Sequence, residues 1–277
     1  MPKLSLDVDK YLRTQVLPTV CCPGCRNGNT VEGLATAFSR MNIDPRKVVV
    51  VSGISCSGRT PFYVNSNAMH TTHGRALVYA NGLKMAQPEL MVAVTMGDGD
   101  TLAIGGNHFI HTARRNIDLT VLVYNNGISG MTGGQVAPTT PMGSGTTTSL
   151  LGSIDRTFDT VDLALAVGAT YVARTTTFDM QEIPLRIQEA IAYPGFAVVG
   201  IIGQCPTYYG RLNQLGDATD MLIWERDRTD GVPAKMLKKE ELLGPLGTGV
   251  FRTERTTEFT EAYKNRCARS GASYGHS

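Results

Sequence analysis

The feature that most restricts the fold lies between Lys47 and Ile202, where short apolar, β-branched runs alternate with segments of helical period. Lys47 to Val51, Leu90 to Thr95, Leu119 to Asn125 and Phe196 to Ile202 are continuous strand candidates, with a weaker one at Ala169 to Arg174. Such runs suit strands covered on both faces, as inside a parallel sheet. Between them, Val31, Leu34, Ala35 and Phe38 recur at helical spacing in a helix closed by Asn42 and Pro45. Gly74 to Ala86 predicts a second helix, stopped by Pro88, and Thr101 to Arg115, Asp159 to Val167 and Asp179 to Tyr193 predict three more. Strand–helix alternation implies right-handed crossovers. The expected fold is therefore α/β, a doubly wound, mostly parallel sheet over residues 1–225, with residues 226–277 as a C-terminal extension. Residues 126–152 interrupt the rhythm with a long Gly/Thr/Pro-rich stretch, of the length usually kept for function or disorder.

Composition excludes several classes. With 277 residues, 42% hydrophobic and 18% charged, the chain can bury a sizeable core and is neither disordered nor coiled coil. A formal charge of +2 without a basic stripe gives no support for a nucleic-acid binder. Lys238-Lys239 beside Glu240 and Glu241 suggests a solvated face. Met1 to Lys10 carries two aspartates and no apolar core, unlike a secretory signal. No apolar stretch approaches the ~20 residues that span a bilayer. The expectation is a cytoplasmic protein that binds neither nucleic acid nor membrane.

In an open parallel sheet, ligands bind beyond the carboxyl ends of the strands. Here those ends lead into Gly53-Ile54-Ser55-Cys56-Ser57, Gly97-Asp98-Gly99-Asp100, Asn125-Asn126-Gly127 and Gly203-Gln204-Cys205. Every unusual polar or thiol cluster thus falls on one edge, which predicts one composite site. A Gly-Asp-Gly turn opening a helix offers backbone N–H groups to a phosphate. Its carboxylate would repel that phosphate unless a hard cation bridges them, which implies Mg²⁺. Asp98 supplies one oxygen, Asn126 a second and a nearby carbonyl a third. Taken singly, Asp-Gly and Asn-Gly are ordinary turn residues; their pairing across this spacing is the specific signal. Dinucleotide binding is disfavoured, because Gly97 to Leu102 lacks the third glycine of GxGxxG.

Six cysteines are too few for a disulfide scaffold. Cys22-Pro23-Gly24-Cys25 forms a CxxC knuckle, and Cys56 and Cys205 each follow a strand on the functional edge. Four converging thiolates suit tetrahedral zinc or an iron–sulfur cluster, and a CxxC redox pair is a third reading. Cys21 is an unassigned neighbour and Cys267 a bystander in the tail. His73 either lines the site or caps the helix starting near Gly74. Arg75 could hold a carboxylate or brace its loop, and His108 and His111 suit packing or surface positions on a helix.

The spacing of Gly97-Asp98-Gly99 and Asn125-Asn126 resembles the thiamine-diphosphate motif. Cys22-Pro-Gly-Cys25, Gly53-Ile-Ser-Cys-Ser57, His73-Gly-Arg75, Gly97-Asp-Gly-Asp100, Asn125-Asn126 and Gly130-Met-Thr-Gly-Gly-Gln135 follow in family order. Together they resemble the β subunit of 2-oxoacid:ferredoxin oxidoreductases across roughly residues 20–210. His70 to Arg75 and Leu102 to Asn116 are most similar to the 2-oxoglutarate branch; pyruvate or branched-chain 2-oxoacids are the alternatives.

The resemblance implies a thiamine-diphosphate-binding fold in which Asp98, Asn126 and the Ile128 carbonyl hold Mg²⁺. It implies Ile54, Ser55, Cys56, Ser57, His73, Gly97, Gly99, Asp100, Gly130 and Met131 around the cofactor, with His73 catalytic. It also implies a 4Fe–4S cluster on Cys22, Cys25, Cys56 and Cys205. The implied reaction is a potentially reversible, coenzyme A-dependent oxidative decarboxylation of a 2-oxoacid to acyl-CoA (succinyl-CoA from 2-oxoglutarate) and CO₂, with electrons passed to ferredoxin. Thiamine enzymes take an activating glutamate from a second α/β domain, so the chain is expected to act only with an α subunit, as a dimer of heterodimers. Ser129 stands where the family usually has an aromatic residue. A non-oxidative thiamine decarboxylase or carboligase would leave the cysteines unexplained; a zinc-stabilised, non-catalytic α/β module would leave the Asp98–Asn126 spacing unexplained.

Overall fold

The structure, a computed structural model, describes residues 7–229 and 246–270; the Lys238–Glu241 face lies outside them. The strands are β1 (Val48–Ser52), β2 (Asn67–His70), β3 (Met91–Gly97), β4 (Leu119–Asn125), β5 (Tyr171–Thr176), β6 (Phe196–Ile202) and β7 (Gly249–Thr253). They form a seven-stranded sheet in the order β2-β1-β3-β4-β6-β5-β7. All neighbours pair in parallel except β5 and β7, which are antiparallel. The doubly wound, mostly parallel sheet is the one the apolar runs predict.

The helices are α1 (Asn27–Met41), α2 (Thr60–Tyr63), α3 (Ala76–Ala86), α4 (Gly106–Arg115), α5 (Thr160–Ala166), α6 (Glu182–Ala192), α7 (Ala218–Thr229) and α8 (Phe259–Arg269). They cover the sheet on two sides because alternate residues of each strand point to opposite faces. Val48 and Val50 pack with Leu34 and Phe38 of α1 and Ile183 and Ile187 of α6. Val49 and Val51 pack with Leu77 and Ala80 of α3, Phe109 of α4 and Val161 of α5. Every residue of β1, β5 and β6 is buried, so the uninterrupted apolar runs record a sheet with no wet face. Full burial of each Val or Ile side chain contributes about 1.5–3 kcal/mol.

Local chemistry sets the helix ends. Asn42 adopts the left-handed conformation after α1 (φ 48°) and its N–H bonds back to the Phe38 and Ser39 carbonyls. Asp159 caps α5 by accepting from Val161 N and Asp162 N. The single helix expected over Thr101 to Arg115 is instead a π-helical turn, Gly99–Ile104, followed by α4.

Two strands escaped the sequence reading. β2 is short, mostly exposed and polar, and lies at the sheet edge. β7 comes from the extension and forms the other edge against β5; α7 runs across the 225/226 division. The chain direction reverses between β1, which leads outward to β2, and β3, which leads to β4. That switch point is where a doubly wound sheet opens a crevice for ligands.

Candidate functional site

The crevice is lined by Ile54–Ser57 after β1, His73 before α3, Gly97–Asp100 after β3, and Asn126 with Ile128–Thr132 after β4. Every residue expected around the cofactor, and all three expected magnesium ligands, meet there. Two glycines make the floor narrow. A Cβ on Gly97 would stand 2.8 Å from Ser55 Cβ, and one on Gly99 would stand 3.0 Å from Ser129 Oγ. Ser129 is itself fixed by the turn, its N–H donating to the Gln135 carbonyl at 3.0 Å.

Asp98 is the hub of the turn. Its Oδ1 accepts from Gly99 N at 2.8 Å, and its Oδ2 accepts from Gly127 N at 3.0 Å and from Thr139 Oγ1 at 2.6 Å. Burial raises its pKa to about 6, against the pull of those donors. A carboxyl short of positive charge in so dry a place suits a cation, and three donors leave lone-pair capacity to bind one. Asn126 and Ile128 line the same crevice; the Asn126 amide oxygen accepts from Ile128 N at 3.3 Å and the Ile128 carbonyl from Gly130 N at 2.9 Å, and with Asp98 they would offer the hard oxygens Mg²⁺ prefers. Thr139, and Thr140 whose hydroxyl donates to the Gly127 carbonyl at 2.7 Å, come from the long 126–152 stretch. That stretch buttresses the Asp98 turn, a role its composition does not announce.

Asp100 faces away from the metal turn. Its Oδ1 meets His73 Nδ1 at 2.6 Å, Gly74 N at 2.6 Å and Ile54 N at 3.3 Å. Its Oδ2 is buried without a hydrogen-bond partner, and burial pushes the carboxyl upward. Gly53 is what lets it in, since a Cβ there would lie 2.1 Å from Asp100 Oδ2. The His73 side chain is 38% exposed, enough to present Nε2 at the crevice while Nδ1 is held. Arg75 Nη1 donates to the Gly74 and Ile104 carbonyls, so it braces the loop. His108 and His111 lie on α4, half-buried and exposed, as expected for packing or surface residues.

The cysteines border an adjoining cavity of about 280 Å³, which shares Cys56, Asn126, Gly130 and Met131 with the crevice. Cys22, Cys25, Cys56 and Cys205 all line it, and so does Cys21. The knuckle is anchored from the sheet: Gln204 Nε2 donates to the Gly24 carbonyl at 2.6 Å, and the Tyr124 hydroxyl donates to the Cys25 carbonyl. Gly24 has φ +76°, and a Cβ on it would meet Ala218 at 2.3 Å, so the Pro-Gly turn accepts no other residue. A Cβ on Gly130 would lie 3.4 Å from the Cys205 sulfur and 3.5 Å from the Cys56 sulfur. Burial pushes the Cys56 thiol to about 12 and raises Cys205 too, with neighbouring cysteines adding to both. Nearby positive charge would reverse those shifts, so the thiol set fits a metal centre. Among the described residues no group of three or more is placed to hold a single metal ion; the thiols surround a space instead. Cys267 lies on α8, outside this cavity.

Residues 34–201 match the family described as thiamine pyrophosphate enzyme, C-terminal TPP binding domain. The chain is 46% identical over 253 residues to the 2-oxoglutarate synthase subunit KorB of Methanocaldococcus jannaschii, covering 91% of this chain and 94% of that protein. It is 48% identical over 254 residues to the subunit of the same name from Archaeoglobus fulgidus, covering 91% of each. Its backbone resembles a chain of the solved 2-oxoglutarate:ferredoxin oxidoreductase from Magnetococcus marinus with 2-oxoglutarate, coenzyme A and succinyl-CoA bound. That match has a TM-score of 0.87 at 31% identity and covers 98% of this chain and 93% of that one.

Proposed function

Because the chain belongs to the β subunits of the 2-oxoacid:ferredoxin oxidoreductases, we propose that it supplies the cofactor half of a coenzyme A-dependent oxidative decarboxylation of 2-oxoglutarate. The observation that carries this reading is the meeting of Asp98, Asn126, Ile128 and His73 in one crevice that shares Cys56, Asn126, Gly130 and Met131 with the cysteine cavity. Asp98, Asn126 and the Ile128 carbonyl hold Mg²⁺, and Cys22, Cys25, Cys56 and Cys205 hold a 4Fe–4S cluster. Bound there, thiamine diphosphate supplies the carbanion chemistry that frees CO₂ from a 2-oxoacid, and the cluster supplies one-electron exits to ferredoxin.

The chain's own groups do the placing. Asp98 neutralises the cation from a buried position, where the attraction is strongest. Gly97 and Gly99 keep the floor free of side chains so that the cofactor reaches the backbone. Ile54–Ser57 line the crevice, and Cys56, Gly130 and Met131 stand between it and the cavity. His73, tied through Nδ1 to Asp100, offers Nε2 as the proton-handling atom at the crevice. Ser129 stands beside Gly99, close enough that a Cβ there would lie 3.0 Å from its hydroxyl.

The cofactor residues all lie before α7, and the chain beyond it adds β7 to the edge of the same sheet. An α subunit brings the activating glutamate and most contacts to substrate and coenzyme A, in a dimer of heterodimers, and the reaction is reversible. A single zinc ion would draw its sulfurs close, each about 2.3 Å from the metal. The cluster is preferred because a redox centre beside the crevice gives the four thiols a task that zinc would not.

The test is metal analysis of the chain copurified anaerobically with its α subunit. About four irons with matching acid-labile sulfide per protomer are expected. Zinc without sulfide would remove the redox step from this reading.

A further inference from the structure

A further cavity, of about 60 Å³, lies against the Asn125–Gly127 turn, and its lining includes Asp159, Arg174, Trp224 and Arg228. It shares Asn126 with the crevice but holds none of the cysteines. Its two arginines differ in how they are neutralised. Arg174 is buried, donates through Nη2 to both carboxylate oxygens of Asp159, and reaches the Gly247 carbonyl through Nη1 at 3.2 Å. Asp159 also caps α5 through Val161 N at 2.7 Å and Asp162 N at 3.1 Å, so its charge is fully engaged. Arg228 sits in the last turn of α7, half-buried, with its guanidinium carbon 4.5 Å from the centre of the Trp224 ring. Among the described residues its side chain makes no hydrogen bond and no ion pair.

One carboxylate therefore serves two guanidinium groups, and the cavity keeps an uncompensated positive charge. Burial, with Arg174 close by, lowers the Arg228 pKa from the usual arginine value. A guanidinium keeps its proton at neutral pH, so it cannot escape the cost of burial by becoming neutral. An anion relieves that cost instead, and the forked N–H donors of arginine match the paired oxygens of a carboxylate or phosphate. Asn125 adds a neutral donor to the lining. Its Oδ1 accepts from Gly127 N at 3.1 Å, which leaves the amide NH₂ free for a ligand.

We infer that this cavity is an anion site, in which Arg228, stacked on Trp224, takes a small oxyanion, a phosphate or a carboxylate, against the turn that follows β4. Its volume limits the occupant to a group of that size. Thr139 lines the same cavity while its hydroxyl donates to Asp98 at 2.6 Å. A bound anion thus ties the last turn of α7 to the loop that carries Asp98's partners. The site stands independently of the thiamine and cluster readings, since neither uses Arg228 or Trp224.

Trp224 is the chain's single tryptophan, so the ring beneath Arg228 can report the ligand directly. The complex with the α subunit is first saturated with thiamine diphosphate and Mg²⁺, so that the crevice is closed to added anions. It is then titrated with inorganic phosphate, and separately with acetate, at an ionic strength held constant with chloride. A saturable change in tryptophan emission is expected, lost in Trp224→Phe and with its midpoint raised about tenfold or more in Arg228→Gln. Arg228→Lys keeps the charge without the fork, and should keep the response at a midpoint between the two. Saturation by phosphate alone assigns a tetrahedral oxyanion, and saturation by acetate alone a carboxylate. A wild type that responds to neither anion beyond chloride would overturn the inference. So would equal midpoints in wild type and Arg228→Gln, or an undiminished change in Trp224→Phe.

Discussion

His73 Nδ1 lies 2.6 Å from Asp100 Oδ1, and the same oxygen accepts the Gly74 N–H at 2.6 Å. One buried carboxylate thus joins the end of β3 to the loop that starts α3, and fixes which ring nitrogen of His73 faces the crevice. Asp100→Asn keeps the size but can present an N–H where the carboxylate accepted. In the complex with the α subunit, turnover should fall about 10- to 100-fold while the KM for 2-oxoglutarate moves less than about twofold. The pH profile should change as well, since the ring is no longer held in one tautomer. Unchanged turnover with an unchanged profile would show that His73 needs no positioning.

Asp98→Asn tests the metal turn by binding. Asparagine can still accept from Gly99 N through its one oxygen, but its amide N–H then faces Gly127 N and Thr139, and it brings no charge to the cation. Saturating thiamine diphosphate and Mg²⁺ should stabilise the wild-type complex by about 2.7 kcal/mol at a hundred times the Kd. The variant should lose most of that gain, measured as the rise in Tm on adding both. An equal rise in wild type and variant would remove Asp98 from the cation's ligands.

Gly53 and Gly82 make an opposed pair. A Cβ on Gly53 collides with Asp100 Oδ2 at 2.1 Å, and the carboxylate is held in place by His73, Gly74 N and Ile54 N at its other oxygen. Gly53→Ala should destabilise by about 1–3 kcal/mol. Gly82 lies inside α3 with nothing within 4 Å of a new Cβ, so Gly82→Ala should stabilise by about 0.5–1 kcal/mol. Denaturant midpoints of the two variants should move in opposite directions from wild type.

Glu225 predicts a pH dependence away from the crevice. Its carboxylate accepts from Phe178 N at 2.7 Å and from the Thr177 hydroxyl, with Arg26 near enough to attract it, yet burial raises its pKa to about 7. The folded state therefore holds this proton more tightly than the unfolded state, whose value is 4.5. The cost of the buried charge is fully present above pH 7, is relieved as pH falls through 7, and changes no further below 4.5. The Glu225 contribution to stability should thus rise by about 3 kcal/mol between pH 8 and pH 4.5. Glu225→Gln should flatten that part of the stability curve; a slope identical in wild type and variant would assign it to other groups.

What the sequence discloses follows from what burial imposes on it. β1, β3, β4 and β6 are covered on both faces, and a covered strand has to be written as an unbroken apolar run. β2 carries Asn67 and His70 in exposed positions at an edge, so no pattern marks it. β7 is half-buried in a charged tail and takes its place only from pairing with β5. Ile54–Ser57, Gly97–Asp100 and Asn126 were legible because they sit at or follow strand ends, where sequence position implies place; His73, Gly130 and Met131 came from the family resemblance alone. Thr139 and the His73–Asp100 pair were not legible, because their partners are 41 and 27 residues away and loops carry no period.

The most direct measurement is reduction of methyl viologen by the anaerobically purified chain, alone and with its α subunit. It requires both 2-oxoglutarate and coenzyme A to be varied. The account predicts no reduction by the chain alone, and reduction by the complex only when 2-oxoglutarate and coenzyme A are both present. Turnover by the chain alone, or CO₂ release by the complex with no viologen reduced, would contradict it.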